Sequence, residues 1–225
     1  LAFASINLKA DQTIGGTALN LLATAIAVVL AKNFSDSGSA KLNYTNAAFI
    51  YKIGPFTVNI FLFIGIILLI CSYVFLFKTK WGLRLRACGE HPQAADSVGI
   101  NVYQWRYTGV IISGALGGIG GFAYIVPSVT TWNFEVGVAG AGFLALAVMI
   151  FGQWKPFHIA GAAVFFAVFR SLANIADSTV LSHLGLSKNI YNMMPFIASM
   201  IILAFTSKNS QAPKAEGIPY DKGAR

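Results

Sequence analysis

Long uncharged apolar runs alternate with shorter polar segments along this chain. The run Phe56–Phe77 contains no charged residue, and Tyr107–Asn133 contains no Asp, Glu, Lys or Arg. An apolar run of about 18 or more residues is typical of a helix that crosses a bilayer. The runs lack the alternation, over segments of about 10 residues, that a lipid-facing barrel needs. The pattern predicts an all-α fold, a polytopic bundle of transmembrane helices.

About six spans are expected, and the start at Leu1 instead of Met suggests that further N-terminal spans are missing. The fourth span has 17 residues, near the lower limit for crossing, and the segment 127–135 before it is a candidate re-entrant or interfacial piece. Residues 1–206 are expected to form the transmembrane domain and 207–225 a polar tail. The predicted spans are Thr13–Ala31, Phe56–Phe77, Tyr107–Val126, Val136–Gly152, Phe157–Ala176 and about Ile190–Thr206.

The positive charges lie between the spans, which argues against nucleic-acid binding despite a net charge of +8. Placing the loop Lys78–Arg106 in the cytoplasm puts eleven Lys and Arg residues inside and four outside, and the inverted topology reverses these numbers. We therefore expect this loop and the C-terminus to face the cytoplasm. The eleven are Lys9, Lys78, Lys80, Arg84, Arg86, Arg106, Lys155, Lys208, Lys214, Lys222 and Arg225.

Few residues suggest catalysis or metal binding. Cys71 lies in an apolar run and Cys88 in the basic loop, so neither a disulfide nor a metal site is expected. The chain has no GxSxG or HExxH pattern, and Ser113 and Ser128 have no histidine on an adjoining turn. An intramembrane enzyme is therefore disfavoured. No GxxxxGK[ST] phosphate loop occurs either, so no nucleotide site is expected.

The third span contains two GxxxG pairs, Gly114/Gly118 and Gly117/Gly121. Small residues let helix backbones approach closely in a bilayer. We interpret these glycines as packing sites within the chain in preference to a homodimer seam. A mobile translocation pathway would use the same residues.

The basic loop contains signals for a short helix. Pro92 favours a helix start, Gln93–Asp96 would follow, and Gly99 would end the helix. Ala94 and Ala95 would lie on one side of that helix and seat in a groove of another protein. The alternative is a solvated loop, which is the preferred interpretation for Lys78 and Lys80 because such residues commonly anchor topology. Partner charges would pair with Arg84, Arg86 and Glu90.

Polar and aromatic residues in the spans are candidates for a substrate pathway. Asn20 and Asn59 would line a route for hydroxyls and ring nitrogens, although a hydrogen bond to a neighbouring helix is the usual role of such an amide. Phe143 would stack on a base, but a core phenylalanine is the ordinary interpretation. Arg170 lies off-centre in the fifth span, where snorkelling or structural pairing is favoured over a pathway role.

The run Gly82–Arg106, GLRLRACGEHPQAADSVGINVYQWR, followed by SGALGGIGGFAY, resembles the permease subunits of the branched-chain amino acid and ribose class of ABC importers. Within that class the chain is most similar to nucleoside-type (basic membrane protein-associated) permeases. Gln93 departs from the general docking motif, which often has Glu. Further matches are Gly16–Asn20, Gly142–Val148 and the tail Pro213–Gly223.

This resemblance implies a subunit of an ATP-driven importer for nucleosides or related sugars in a bacterial plasma membrane. A second permease subunit would complete the pore, a separate ABC ATPase would bind ATP, and an extracellular lipid-anchored protein would deliver substrate. The chain itself would hold no cofactor. The residues implied to dock on the ATPase are Arg84, Arg86, Glu90, Pro92, Gln93, Ala94, Ala95 and Gly99.

A proton- or sodium-driven carrier of a small polar solute is the alternative. Such carriers usually place ionisable residues near the middle of the membrane. In these spans the one clear ionisable residue is Arg170, and it lies off-centre. The sequence therefore favours the importer.

Overall fold

Helices dominate the part of the chain that the computed structural model describes, which is residues 1–35, 38–45, 49–53, 56–138, 140–175, 193–194, 197, 200 and 212–222. This confirms the predicted helical membrane fold. The contacts divide the chain into two units, Leu1–Ala139 with Pro213–Arg225, and Gly140–Ala212.

The first unit begins with a single π-helical turn, Phe3–Asn7, and then contains five α-helices and four short strands within its described residues. The helices are α1 (Gln12–Phe34), α2 (Ile60–Lys78), α3 (Lys80–Glu90), α4 (Pro92–Ser97) and α5 (Val102–Ile125). The strands are β1 (Lys41–Asn43), β2 (Ile50–Ile53), β3 (Phe56–Asn59) and β4 (Thr131–Asn133).

Three helices, α1, α2 and α5, are long and apolar enough to cross a membrane, at 23, 19 and 24 residues. They confirm the first three predicted spans, with shifted ends. The Asp11 carboxylate caps α1 by accepting the backbone N–H groups of Thr13 and Ile14 at 2.7 and 3.1 Å. The most apolar stretches of the three helices contain no buried residue. Their side chains are therefore left for lipid or for other polypeptides.

The second helix starts later than the sequence predicted. The predicted span began at Phe56, but Phe56–Asn59 forms β3, which pairs antiparallel with β2. The helix begins at Ile60 because the Asn59 side chain accepts the N–H of Phe61 at 3.0 Å, as an N-cap does. Hydropathy places an apolar run in the membrane, but a cap residue decides where its helix starts.

A short two-stranded sheet also joins two segments that lie between predicted spans. β1 pairs antiparallel with β4, so that Lys41 lies opposite Asn133. The Tyr44 hydroxyl donates a hydrogen bond to the carbonyl of Ile125 at 3.1 Å, which ties this sheet to the end of α5. The segment 127–135 therefore contains a sheet strand, and its role as a re-entrant or interfacial piece stays a prediction.

The second unit contains α6 (Ala141–Phe151) and α7 (Pro156–Ile175) among its described residues. The two helices pack through Val148, Ala162 and Phe166. A Cβ on Gly152, between the helices, would lie 2.5 Å from the Cα of Ile159, so this close turn requires glycine.

Two of the later predicted spans differ from the structure or lie outside it. α6 has 11 residues. At 1.5 Å per residue it is about 16 Å long, roughly half the hydrocarbon thickness of a bilayer. The prediction of one crossing helix over Val136–Gly152 is therefore wrong. α7 occupies most of the fifth predicted span, and the sixth, 190–206, lies almost entirely outside the described residues.

The glycines of α5 have open space beside them within the first unit. A Cβ built on Gly114, Gly117, Gly118 or Gly121 has no described atom within 4 Å. The sixth predicted span lies almost entirely outside the described residues, so packing of these glycines against helices of this chain stays a prediction.

Candidate functional site

The site lies between α2 and α5, in a segment that we call the elbow, residues 78–106. Its first corner is sharp. Thr79 separates α2 from α3, accepting the N–H of Gly82 at 3.1 Å and donating to the carbonyl of Phe75 at 2.6 Å. A Cβ on Gly82 would lie 2.1 Å from that carbonyl oxygen, so only glycine permits this approach of α3 to α2.

The predicted short helix is present as α4. Pro92 occupies its first turn and Ser97 is its last residue. Gly99 follows in the left-handed conformation at φ 81°, and its N–H donates to the carbonyl of Asp96 at 2.9 Å. The N–H of Ile100 reaches the carbonyl of Ala95 at 3.1 Å. These two bonds form a Schellman motif, which is why the chain needs glycine at this position.

One side of α4 is buried within the chain. Ala95 is 3% exposed and packs with Cys88 of α3, Val102 of α5 and Tyr220 of the C-terminal tail. Pro92 is buried as well. The expectation that Ala94 and Ala95 lie together on a partner-facing side is therefore wrong, because Ala95 faces this core.

The other side of α4 is exposed. Gln93, Ala94 and Ser97 are exposed, and Val98, the C-cap residue after Ser97, is 73% exposed. We call these four residues the outer face of α4. A small apolar residue, two polar ones and an unshielded valine form a surface that another protein can contact without burying a charge.

The charged candidates on α3 lie in different surroundings. Arg84 and Glu90 are exposed. The Arg86 guanidinium lies 4.6 Å from the centroid of the Phe77 ring, a cation–π contact that holds it near the end of α2. Trp81 and Trp105 meet edge to face at 5.4 Å between centroids and connect α3 to α5.

The C-terminal tail lies against the elbow. The N–H of Ala215 donates to the carbonyl of Gly89 at 2.9 Å, and the Arg106 guanidinium donates to the carbonyl of Ile218 at 2.9 Å. The Tyr220 ring is 5% exposed and lies edge to face with Tyr103 at 5.3 Å between centroids. The tail thus contacts both α3 and α5.

Ion pairs and side chains with shifted pKa values lie around this contact between the tail and the elbow. Lys9 and Asp221 form an ion pair at 2.7 Å, and Lys222 lies 3.8 Å from the Asp96 carboxylate. Burial, and then a hydrogen bond to Asp96, raise the pKa of the Tyr220 hydroxyl. Burial also raises the pKa of the Cys88 thiol. Both side chains therefore stay neutral at physiological pH.

Among the cavities that described residues of the first unit line, two bear on the elbow and on the ends of α5. One is a cleft of about 210 Å³ between the tail and the start of α4. The other is apolar, about 400 Å³, and is lined in part by Phe122 and Val126 at the opposite end of α5. The cleft is lined by Glu90, His91, Pro92, Gln93, Arg106, Lys214, Ala215, Ile218, Pro219 and Tyr220.

The substrate-pathway candidates belong to different elements of the chain. Asn20 is exposed in the middle of α1, and Asn59 caps α2 instead of lying inside a span. Phe143 is 76% exposed in the first turn of α6, so the interpretation as a core phenylalanine does not fit its surroundings. Arg170 lies in the second half of α7. A pathway role for these residues stays a prediction.

No metal centre is visible in the part of the chain that the structure describes. There, no three His, Cys, Asp or Glu residues lie close enough to hold an ion. Cys71 is exposed and Cys88 is buried, and both are free thiols.

Sequence reasoning missed three features of the elbow. Lys80–Glu90 is a helix, and the threonine before it was the available signal, because Thr79 is an ordinary N-cap residue. No local sequence signal indicated that position 82 requires glycine, because the atoms that a Cβ would meet belong to the preceding helix, α2. Tyr220 had none either, because its partners lie more than a hundred residues away in sequence.

Residues 1–205 match the family described as "Branched-chain amino acid transport system / permease component". The chain belongs to this permease family. This confirms the resemblance drawn from the elbow sequence and from the glycine-rich run of α5. A multi-pass membrane location agrees with the apolar helices.

Named permeases are similar to this chain over three quarters or more of its length. The nucleoside ABC transporter permease NupC of Lactococcus lactis is 39% identical over 98% of this chain and 72% of its own length. The guanosine ABC transporter permease NupQ of Bacillus subtilis is 39% identical over 100% of this chain and 73% of its own. The nucleoside ABC transporter permease NupB of L. lactis is 27% identical over 75% of this chain and 46% of its own. No solved structure matches this permease.

Proposed function

We propose that this permease is a membrane-spanning subunit of an ATP-driven ABC importer, and that its elbow docks on a separate ATPase subunit. The observation that carries the proposal is the two-sided construction of α4. The helix exposes Gln93, Ala94, Ser97 and Val98, while Ala95 fixes its other side to α3 and α5. A helix fixed on one side and open on the other can receive a force and pass it on.

The connections of α4 suggest how the force travels. Two residues after the Schellman turn, the Asn101 side chain accepts the N–H of Gln104 at 3.2 Å and starts α5. Val102, in its first turn, is 1% exposed in the core that also holds Ala95. A push on α4 would therefore be transmitted to a 24-residue membrane helix. The Gly82 corner would carry it to α2.

The substrate class follows from the relatives. Two permeases that resemble this chain over nearly its whole length are named for nucleosides and guanosine. We infer that this importer takes up nucleosides or related sugars. Its own residues do not single out one compound, and selection is assigned to a separate extracellular binding protein with a lipid anchor.

The partner permease is inferred to be a related chain. NupC and NupB come from one organism, are both named nucleoside permeases, and both resemble this chain. A pore built from two different but related subunits accounts for this pair. ATP would be bound by the ATPase, and this permease would hold no cofactor.

The orientation in the membrane rests on charge. The elbow and the segments grouped with it hold eleven Lys and Arg residues, against four on the other side. We therefore place the elbow and the tail in the cytoplasm, where an ATPase has access to them. Lys32 and Glu135, which form an exposed ion pair at 3.7 Å, would then lie outside.

Uptake tests this function directly. Cells with and without the permease are given labelled nucleosides, ribose and amino acids. Uptake that needs the permease should stop when ATP is depleted and should survive collapse of the proton and sodium gradients. Uptake that follows an ion gradient and ignores ATP would instead establish the secondary-carrier alternative.

Association with the ATPase tests the docking role separately. Ala94→Arg places a long charged side chain on the outer face of α4 and should abolish co-purification of the ATPase while membrane insertion is unchanged. Leu42→Arg, which adds the same side chain at an exposed position on β1 outside the elbow, serves as the control for a general change in surface charge. If Ala94→Arg still co-purifies with the ATPase and transports normally, the elbow is not the docking site.

A further inference from the structure

α4 is too short to hold its own position. It has six residues. Isolated helices shorter than about 12–15 residues are marginal in water, so tertiary contacts must stabilise this one. On its inner side the core consists of Ala95 with Cys88, Val102 and Tyr220. Tyr220 is the largest of these side chains and comes from the tail instead of from the elbow itself.

The tail contacts each helix of the elbow. The carbonyl of Ile218 accepts a hydrogen bond from the Arg106 guanidinium of α5, and the N–H of Ala215 donates one to the carbonyl of Gly89 in α3. The Tyr220 ring packs with Ala95 of α4. Three helices are therefore joined by one extended segment.

The shape of the tail suits this role. Gly217 has φ 75°, and the N–H groups of Glu216 and Ile218 donate to the carbonyls of Pro213 and Ala215. This compact turn brings Tyr220 under α4 while Ile218 stays 58% exposed. Lys222 and Asp221 continue the contact towards Asp96 and Lys9.

We propose that residues 213–222, which we call the strap, hold α4 in the position required to transmit force, with Tyr220 as the positioning residue. This rests on the proposed docking of α4 on the ATPase. The strap contacts the inner side of α4, opposite the outer face, so it acts on the ATPase contact through the position of α4. Without it, α4 would bind the ATPase less tightly and move without moving α5.

A nitroxide at Ser97 reports the position of α4 directly. Ser97 is exposed, and a Cys71→Ser background removes the exposed native thiol. The full-length permease is reconstituted in nanodiscs with the intact strap, with Tyr220→Ala, with Tyr220→Phe and with Ile218→Ala. The last is a matched control, since it truncates an exposed residue of the same segment.

Tyr220→Ala should raise the nitroxide mobility and weaken ATPase binding about tenfold. Tyr220→Phe, which keeps the ring, should restore both values to within about twofold, and Ile218→Ala should leave both unchanged. ATP turnover per transported molecule should rise for Tyr220→Ala, because hydrolysis would continue with less movement of α5. A merely structural role would lower the amount of permease without altering this ratio.

The outcomes separate the strap from the docking role. If Ala94→Arg abolishes ATPase binding but Tyr220→Ala leaves mobility, binding and ATP turnover per molecule at their normal values, the strap proposal is wrong and docking stands. If Ala94→Arg binds the ATPase normally, the docking role itself is wrong.

If the Tyr220→Ala permease accumulates poorly in cells, a second experiment tests the proposal. A chain that ends at Ala212 is then tested with a synthetic peptide of residues 213–225. Restored ATPase binding with this peptide, and none with its Tyr220→Ala version, supports the strap. Restoration by neither peptide would overturn it.

Discussion

Arg106, in the second turn of α5, donates a hydrogen bond to the backbone carbonyl of Ile218 at 2.9 Å, across 112 residues of sequence. The C-terminal tail is therefore held against the start of α5. Both belong to the first unit, so this contact joins the two ends of its sequence.

Arg106→Met is expected to loosen the tail. Methionine keeps an apolar stem but cannot donate to the carbonyl of Ile218. A hydrogen bond to a charged group contributes about 1.5–3 kcal/mol, so the open form of the tail should become roughly tenfold or more populated. Trypsin cleavage after the exposed Lys214 measures this population when opening is fast.

The control for that experiment is Arg84→Met. Arg84 is exposed on α3, and none of the hydrogen bonds or ion pairs between described residues joins it to the strap. Cleavage after Lys214 should therefore proceed at the wild-type rate. Equal cleavage rates in the wild-type, Arg106→Met and Arg84→Met proteins would show that Arg106 does not hold the tail.

Gly82→Ala should destabilise the permease strongly. Its Cβ would lie 2.1 Å from the carbonyl oxygen of Phe75, and backbone atoms cannot retreat easily. Overpacking of this kind costs about 1–3 kcal/mol, and the thermal transition of the detergent-solubilised protein should fall by several degrees. Gly114→Ala is the matched control in α5, where a Cβ meets nothing within 4 Å. A wild-type transition for Gly82→Ala would contradict the corner geometry.

Cys88 should react slowly with maleimide. It is 2% exposed, and burial raises the pKa of its thiol. The thiolate is the reactive form, so at pH 8 a Val98→Cys variant should be labelled at least about tenfold faster. An ordinary thiol with a pKa near 8.5 should level off above about pH 9.5, whereas the Cys88 rate should still be rising there. Fast labelling of Cys88 that levels off at lower pH would contradict its burial.

Local signals in the elbow predicted α4 well, and long-range contacts were not visible. Pro92 and Gly99 mark the two ends of a helix by their own backbone preferences, so the sequence is sufficient there. The hydropathy pattern likewise predicted α1, α2 and α5, because an apolar run of sufficient length has few alternatives in a bilayer.

The sequence failed where a partner lies far along the chain or where composition and capping disagree. The sequence does not distinguish Ala94 from Ala95, because Ala95 is buried by Tyr220 from the distant C-terminal tail. Asn59 lies within an apolar run, yet its side chain caps the N-terminus of α2. The helix therefore begins after Asn59, inside the run. The GxxxG pairs of α5 indicate packing in general but do not say whether the neighbour belongs to this chain.

The docking of α4 is tested most directly by cross-linking. A photoreactive amino acid is placed at Val98, which is 73% exposed on α4, or at Leu42, which is 52% exposed on β1 at the other end of α5. Illumination of cells that contain the complete importer should join the ATPase to the permease from Val98 and not from Leu42. An ATPase adduct from Leu42 alone, or none from Val98 in a transporter that still takes up substrate, would contradict it.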